Sequence, residues 1–233
     1  MKIFSSKSLL AAGLVLCGAF SGVPALADKT LRYEVEITNV TKGQFFTPQL
    51  VATHNNSVSV FELGQPASIE VELLAEGGDT APLTDLLLSQ GSAVSNVVTI
   101  PGLIGPGETH QVVIEASRHH RYLSVAAMLI PTNDTFLAVN GVRLPFRGTS
   151  VTHSPGYDAG TELNDQNCAN IPGPRCGGDG YSPGPNDGDE GFVYIGNGFH
   201  DLGTEDEQGN EILTPEIYDW NNSVAVIKVT RIH

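Results

Sequence analysis

Three carboxylates carry the most specific chemistry this sequence offers: Asp134, Asp158 and Glu162. Asp134 sits in Pro131-Thr132-Asn133-Asp134-Thr135-Phe136-Leu137-Ala138-Val139, just after the apolar run Val125 to Ile130. Asp158 and Glu162 sit in Tyr157-Asp158-Ala159-Gly160-Thr161-Glu162, where small residues let the chain curl so that both acids face one ion. Hard oxygen donors on loops at strand ends suit calcium, which takes six to eight oxygens at roughly 2.3–2.6 Å, carbonyls and waters included. Three carboxylates plus carbonyls and waters suffice. The same residue types also build ordinary turns, and Asp158 with Glu162 could act as an acid–base pair. The residues alone leave these readings open. The spacing specifies no substrate, and there is no Gly-x-Ser-x-Gly elbow, HExxH motif or phosphate-cradling glycine run, so no catalytic residue is assigned.

Other candidates are weaker. Asp179, Asp187, Asp189 and Glu190 form a second acidic group, but the EF-hand pattern that Asn186-Asp187-Gly188-Asp189 begins is not completed, so it reads as a solvated loop. The seven histidines are scattered without metal-ligand spacing. His119-His120, between Arg118 and Arg121, read as a polar turn, while His153 and His200 lie nearer the acidic loops. Cys168 and Cys176 fall in one Gly/Pro-rich stretch and read as a local disulfide in an exported chain; a two-cysteine zinc site would want shorter spacing and a histidine pair. Asn39, Asn55, Asn133 and Asn221 each begin an Asn-x-Ser/Thr sequon, which matters only in a glycosylating host.

The elements that must hold these residues read mainly as strands. Arg32 to Thr38 alternates strictly and reads as half-buried. Phe45 to Thr53 reads as a strand with a bulge or edge at Pro48. Gln111 to Ala116, Tyr122 to Ile130, Phe192 to Ile195 and Val224 to Ile232 are further strands, and the almost wholly apolar Tyr122 to Ile130 is expected to be central and covered on both faces. Phe136 to Val139 and Val142 to Phe146 flank Asn140-Gly141, a hairpin-turn signal. Ala67 to Ala75 suits strand or helix, ending at Gly77-Gly78, and Pro82 to Ser89 suits a short helix with proline near its start. Asp158 to Gly191 is a long irregular region, expected to be an ordered loop. The expected fold class is all-β: an antiparallel β-sandwich with one or two short helices and a long ordered loop.

The N-terminus reads as an export signal. Lys2 and Lys7 precede the apolar run Leu9 to Phe20, and Ala25-Leu26-Ala27 is a cleavage site, so residues 1–27 form the signal peptide and residues 28–233 one domain. A retained membrane anchor, or a lipoprotein through Cys17, is the alternative; Leu16 is too large for the latter. No later run is long enough to span a bilayer. The net charge of −14 argues against nucleic acid and against simple docking on anionic lipid, and favours a metal cation or a basic partner.

The two acidic segments resemble the signature of the spondin N-terminal domain, the family of F-spondin and mindin, whose members carry a Pro-Ser-Pro-Asp-Trp-Phe-type segment followed by Asp-Ala-Gly-Thr-Asp. The likeness runs from about Tyr33 to Ile232, with its specific matches at 128–139 and 157–162. It implies a β-sandwich similar to calcium-dependent membrane-targeting domains, with Asp134, Asp158 and Glu162 as calcium ligands. Here Thr135 stands for the family's Trp, Asn133 for Pro and Glu162 for Asp. No thrombospondin-type repeats follow, so the animal members' adhesive role does not transfer whole. The function expected is an exported, non-enzymatic, calcium-binding module for an extracellular protein or glycan, secreted or periplasmic, with no nucleic acid partner. A metal-assisted hydrolase acting on glycans is the alternative, and calcium-bridged lipid binding a third.

Overall fold

A computed structural model of the chain describes residues 30–178, 180–181, 188–199, 205, 209, 212–221 and 223–232. The expected signal peptide, Asp179, Asp187 and His200 lie outside the described residues. Eleven strands and three helices are described: β1 Leu31–Asn39, β2 Phe45–Phe46, β3 Gln49–His54, α1 Ile69–Gly77, α2 Ala81–Ser89, β4 Val94–Ile100, β5 Thr109–Ala116, β6 Tyr122–Ile130, β7 Thr135–Arg143, β8 Thr149–Ser154, β9 Gly156–Asp158, β10 Tyr194–Ile195, α3 Pro215–Tyr218 and β11 Ala225–Ile232.

They form two antiparallel sheets. One has the order β5-β1-β11-β8; the other runs β10-β9-β7-β6-β3-β4, with β2 also paired to β6. Alternation places Tyr33, Val35 and Ile37 of β1 and Ile227 and Val229 of β11 against Val51, Leu123, Val125, Leu129 and Leu137 of the larger sheet. This is the sandwich core. The all-β expectation holds.

The larger sheet is apolar on its other face too. Leu50, Ala126 and Ala138 stand side by side in one row of β3, β6 and β7, and Val71, Leu74, Leu83 and Leu87 of α1 and α2 pack on that face. The alanines let the helices sit close to the backbone. β6 is therefore buried on both sides, which is why its sequence is a continuous apolar run. The ambiguous stretch after Ala67 is settled as helix α1. Ser68 caps its start and Gly78, at φ 67°, ends it by sending its N–H back to Leu74.

Two expectations are corrected. Asn140-Gly141 is not a hairpin turn; β7 runs straight through it. Leu123 pairs Val142 and Val125 pairs Val139, so β7 carries an extra residue there, a bulge. Gly141 supplies the positive φ of 71°, and Ser124 Oγ accepts its N–H at 3.0 Å. Asn140 turns outward, accepting the Val60 N–H at 2.9 Å and donating to the Phe61 carbonyl at 2.7 Å. The long Phe45 to Thr53 strand is in fact two, split at Thr47-Pro48 because proline cannot donate to a ladder.

Candidate metal centre

A turn, a crossing between the sheets and a strand pairing build the acidic site. β6 ends at Ile130 and turns through 131–134 by a cis Ile130–Pro131 peptide into β7. β8 belongs to the smaller sheet; after Pro155 the chain crosses to the larger one as β9. Ser154 fixes that crossing, its hydroxyl taking the Ala138 N–H at 2.8 Å and donating to the Ala138 carbonyl at 2.8 Å. β9 then pairs with β7 so that Asp158 faces Thr135, one residue from Asp134. The acids meet because of register, not because either loop is long.

The turn after β9 closes around Asp134. Asp158 Oδ1 accepts the Gly160 N–H at 2.8 Å, an Asx turn. Gly160 has φ +67°, and a Cβ there would lie 2.3 Å from the Phe192 carbonyl oxygen, so only glycine fits. The next two N–H groups point inward: Thr161 N and Glu162 N donate to Asp134 Oδ2 at 2.7 and 3.2 Å. The Ala159 N–H donates to the Asp134 carbonyl at 3.2 Å. Asn133, beside it, accepts the Gln166 N–H at 3.2 Å and ties down the next stretch of loop.

All three carboxylates are buried, Asp134 at 0% exposure. This differs from acids presented on loop tips. Asp134 Oδ1 is sealed from solvent with no hydrogen-bond partner, and among the described residues no basic side chain pairs with Asp134 or Asp158. Burial, then the charges of Asp158 and Glu162, hold the Asp134 carboxyl well above the ordinary carboxylate range, against the lowering effect of the Thr161 and Glu162 N–H groups. Burial pushes Asp158 up to about 6, with the charge of Glu190 adding to it, while hydrogen bonds from Asn164, Gly160 and Tyr194 oppose.

The rim of the site was not legible as such in the sequence. Asn164 Nδ2 donates to Asp158 Oδ2 at 2.7 Å and lies 3.3 Å from the Tyr194 hydroxyl. Tyr194 faces Asp158 across the β9–β10 pair, and burial beside Asp158 and Glu190 raises its phenol. The strand signal of Phe192 to Ile195 was the one available hint. Glu190 is exposed, as expected of a solvated loop, and its charge also reaches this rim beside Asn164 and Asp158, whereas His153 is an exposed residue of β8.

As they stand, no three Asp, Glu, His or Cys side chains among the described residues are already arranged to ligate one metal ion. The donor set nevertheless suits a hard cation. It is all oxygen, it concentrates negative charge in a buried place, and it includes an orphaned oxygen on Asp134. Neither described cavity is lined by these acids. One, of about 30 Å³, lies between Phe45, Pro131, Pro172 and Tyr218; the other, of about 100 Å³, lies between Ser57 and the α2 leucines.

Beyond the site, Cys168 and Cys176 are bonded, as expected. The turn before β6 is a polar one: His120 Nδ1 is 2.7 Å from Ser117 Oγ and its Nε2 is 2.8 Å from the Ser92 carbonyl. Two sequons are structural, since Asn39 and Asn133 are both buried.

Fold and site together define an antiparallel β-sandwich with a helical cover and a carboxylate-lined loop junction at one end. The family profile described as Spondin_N matches residues 38–164, more than half of the chain, and spans Asp134, Asp158 and Glu162. The chain belongs to the spondin N-terminal domain family. Comparison with curated proteins gives no match.

Proposed function

We propose that this protein is an exported, non-enzymatic binding module in which Asp134, Asp158 and Glu162 hold a calcium ion at the loop end of the sandwich. Family membership is compatible with an extracellular binding or adhesion module. No helix among the described residues is long and apolar enough to cross a membrane. The observation that carries the calcium reading is the Asp134 carboxylate. It is fully buried, repelled by two neighbouring acids, and one of its oxygens has no partner. A divalent cation supplies what that oxygen lacks. The ion's part is structural: it offsets the repulsion and locks the 131–134 and 158–162 loops, shaping the surface offered to an extracellular protein or glycan. A non-catalytic role is supported by how the acids are already engaged. Asp134 and Asp158 each accept hydrogen bonds from the turn that surrounds them.

Calcium titration of the mature chain followed by melting temperature tests this. Saturation at ten times the dissociation constant should add about 1.4 kcal/mol and at a hundred times about 2.7 kcal/mol. Millimolar calcium is the working range for extracellular modules, and magnesium should substitute poorly because it demands a tight octahedral shell. Binding to matrix proteins and glycans is then compared with and without calcium. An unchanged melting temperature at about 10 mM calcium would refute the reading.

A further inference from the structure

The chain has seven arginines, and six of them gather at the end of the sandwich opposite the acidic site. Arg32 opens β1, Arg118 and Arg121 flank the turn between β5 and β6, Arg143 ends β7, Arg147 precedes β8, and Arg231 lies near the end of β11. Three of these surround one ring. The guanidinium carbons of Arg121, Arg147 and Arg231 lie 5.4, 5.6 and 5.4 Å from the centroid of Phe146. Phe146 is 60% exposed.

The segment that carries Phe146 and Arg147 is fastened on both sides. The Leu144 N–H donates to the Arg121 carbonyl at 2.8 Å and the Arg231 N–H to the Gly148 carbonyl at 2.9 Å. The Arg231 guanidinium also donates to the Phe146 carbonyl. The arginines are thus held in place by backbone bonds and ring stacking, with in-plane N–H groups left over.

Among the described residues no carboxylate pairs with Arg121, Arg147 or Arg231. Tyr33 is fully buried, and it lies close enough to Arg231 and Arg121 to feel both charges. Three like charges around one exposed ring, with no paired carboxylate among the described residues, make a site short of an oxyanion.

From this we infer that the Phe146 arginine cluster is a binding site for an acidic polysaccharide, through its sulfate or carboxylate groups. Guanidiniums grip such groups with paired N–H bonds, and the exposed ring offers an apolar face to sugar C–H groups. The overall charge of −14 decides against denser partners. A duplex or an anionic bilayer presents a continuous field that the acidic body opposes, while a chain with spaced anions can reach one pole alone. This inference does not depend on calcium at the other end.

The test measures binding of the mature chain to dextran sulfate and polygalacturonate, with neutral dextran, double-stranded DNA and phosphatidylglycerol vesicles as comparisons. Both acidic polymers should bind at low salt and release as salt rises. Arg147→Glu and Arg231→Glu should each weaken binding by about tenfold or more. Lys42→Glu, at the far end and with the same charge change, should leave it unaltered. If a charge reversal lowers the melting temperature, Arg147→Gln on an already exposed side chain gives the same readout and should still weaken binding. Failure to bind either polymer, indifference to the arginine variants, or equal arginine-dependent binding of DNA or vesicles would each overturn the proposal.

Discussion

Removing calcium should make this protein less stable as pH rises, the reverse of what a paired carboxylate does. In the unfolded chain Asp158 titrates near 3.9; in the fold burial moves it to about 6. Below about pH 4 both states hold the proton and nothing differs. As pH rises the unfolded state releases it first, so the folded state binds more protons and stability falls until the folded carboxyl also ionises near 6. About two pH units at 1.36 kcal/mol each give about 3 kcal/mol lost across that window. For a chain of this length that corresponds to roughly 6–12 °C in melting temperature. Asp134 pulls in the same direction, since its carboxyl is also raised. The assay is calorimetry in chelator from about pH 4 to pH 7, on the native chain and on Asp158→Asn. Other carboxylates contribute to both curves, so the difference between them isolates this one. The variant should gain on the native chain as pH rises, and in calcium above pH 6 the order should invert. A difference curve that stays flat with pH would show that the Asp158 carboxyl is not held in the environment described.

Asp134→Asn should abolish the calcium-induced rise in melting temperature while keeping the apo fold, and Glu162→Gln should reduce it; parallel calcium titrations of the two variants check this. Gly160→Ala should cost about 3 kcal/mol or more in chemical denaturation and remove the calcium response, because its Cβ would strike the Phe192 carbonyl. Reducing Cys168–Cys176, which lie eight residues apart, should remove up to about 2.6 kcal/mol, and hydrogen exchange should show the loss concentrated in the loop between β9 and β10. Phe136→Ala, which empties a fully buried ring from beneath the helices, should destabilise by about 3–5 kcal/mol in urea titration.

Much of the scaffold is written locally. β1 alternates, β6 is apolar throughout because it is covered twice, and α1 and α2 carry their own caps and starts. β8, Thr149-Ser150-Val151-Thr152-His153-Ser154, has almost no apolar signal; it is an edge strand with an exposed outer face, and pairing with β11 makes it a strand. Asn140-Gly141 misleads because a hairpin and a bulge ask the same thing of glycine, a positive φ. Only the register of the partner strand separates them. The site divides the same way. Its acids stand in recognisable segments, but Asn164, Tyr194 and Glu190 join Asp158 through a β9–β10 pairing that spans more than thirty residues. The arginines are spread through the sequence from Arg32 to Arg231, and six strand ends collect them. Net charge could not reveal this, because it averages over the two ends.

The central strand β6 begins beside Arg121 and ends at the turn into Asp134. Nine extended residues separate the two by about 30 Å. The molecule is therefore an electric dipole along the strand direction, with arginines gathered at one end and buried carboxylates at the other. Near any negatively charged surface it will turn before it touches, arginine end first. The loop end then faces away, free to meet a second partner from the opposite side. On the calcium reading, filling the carboxylates with a divalent cation would shorten the dipole, and the strength of that alignment would then follow the calcium concentration of the surrounding medium.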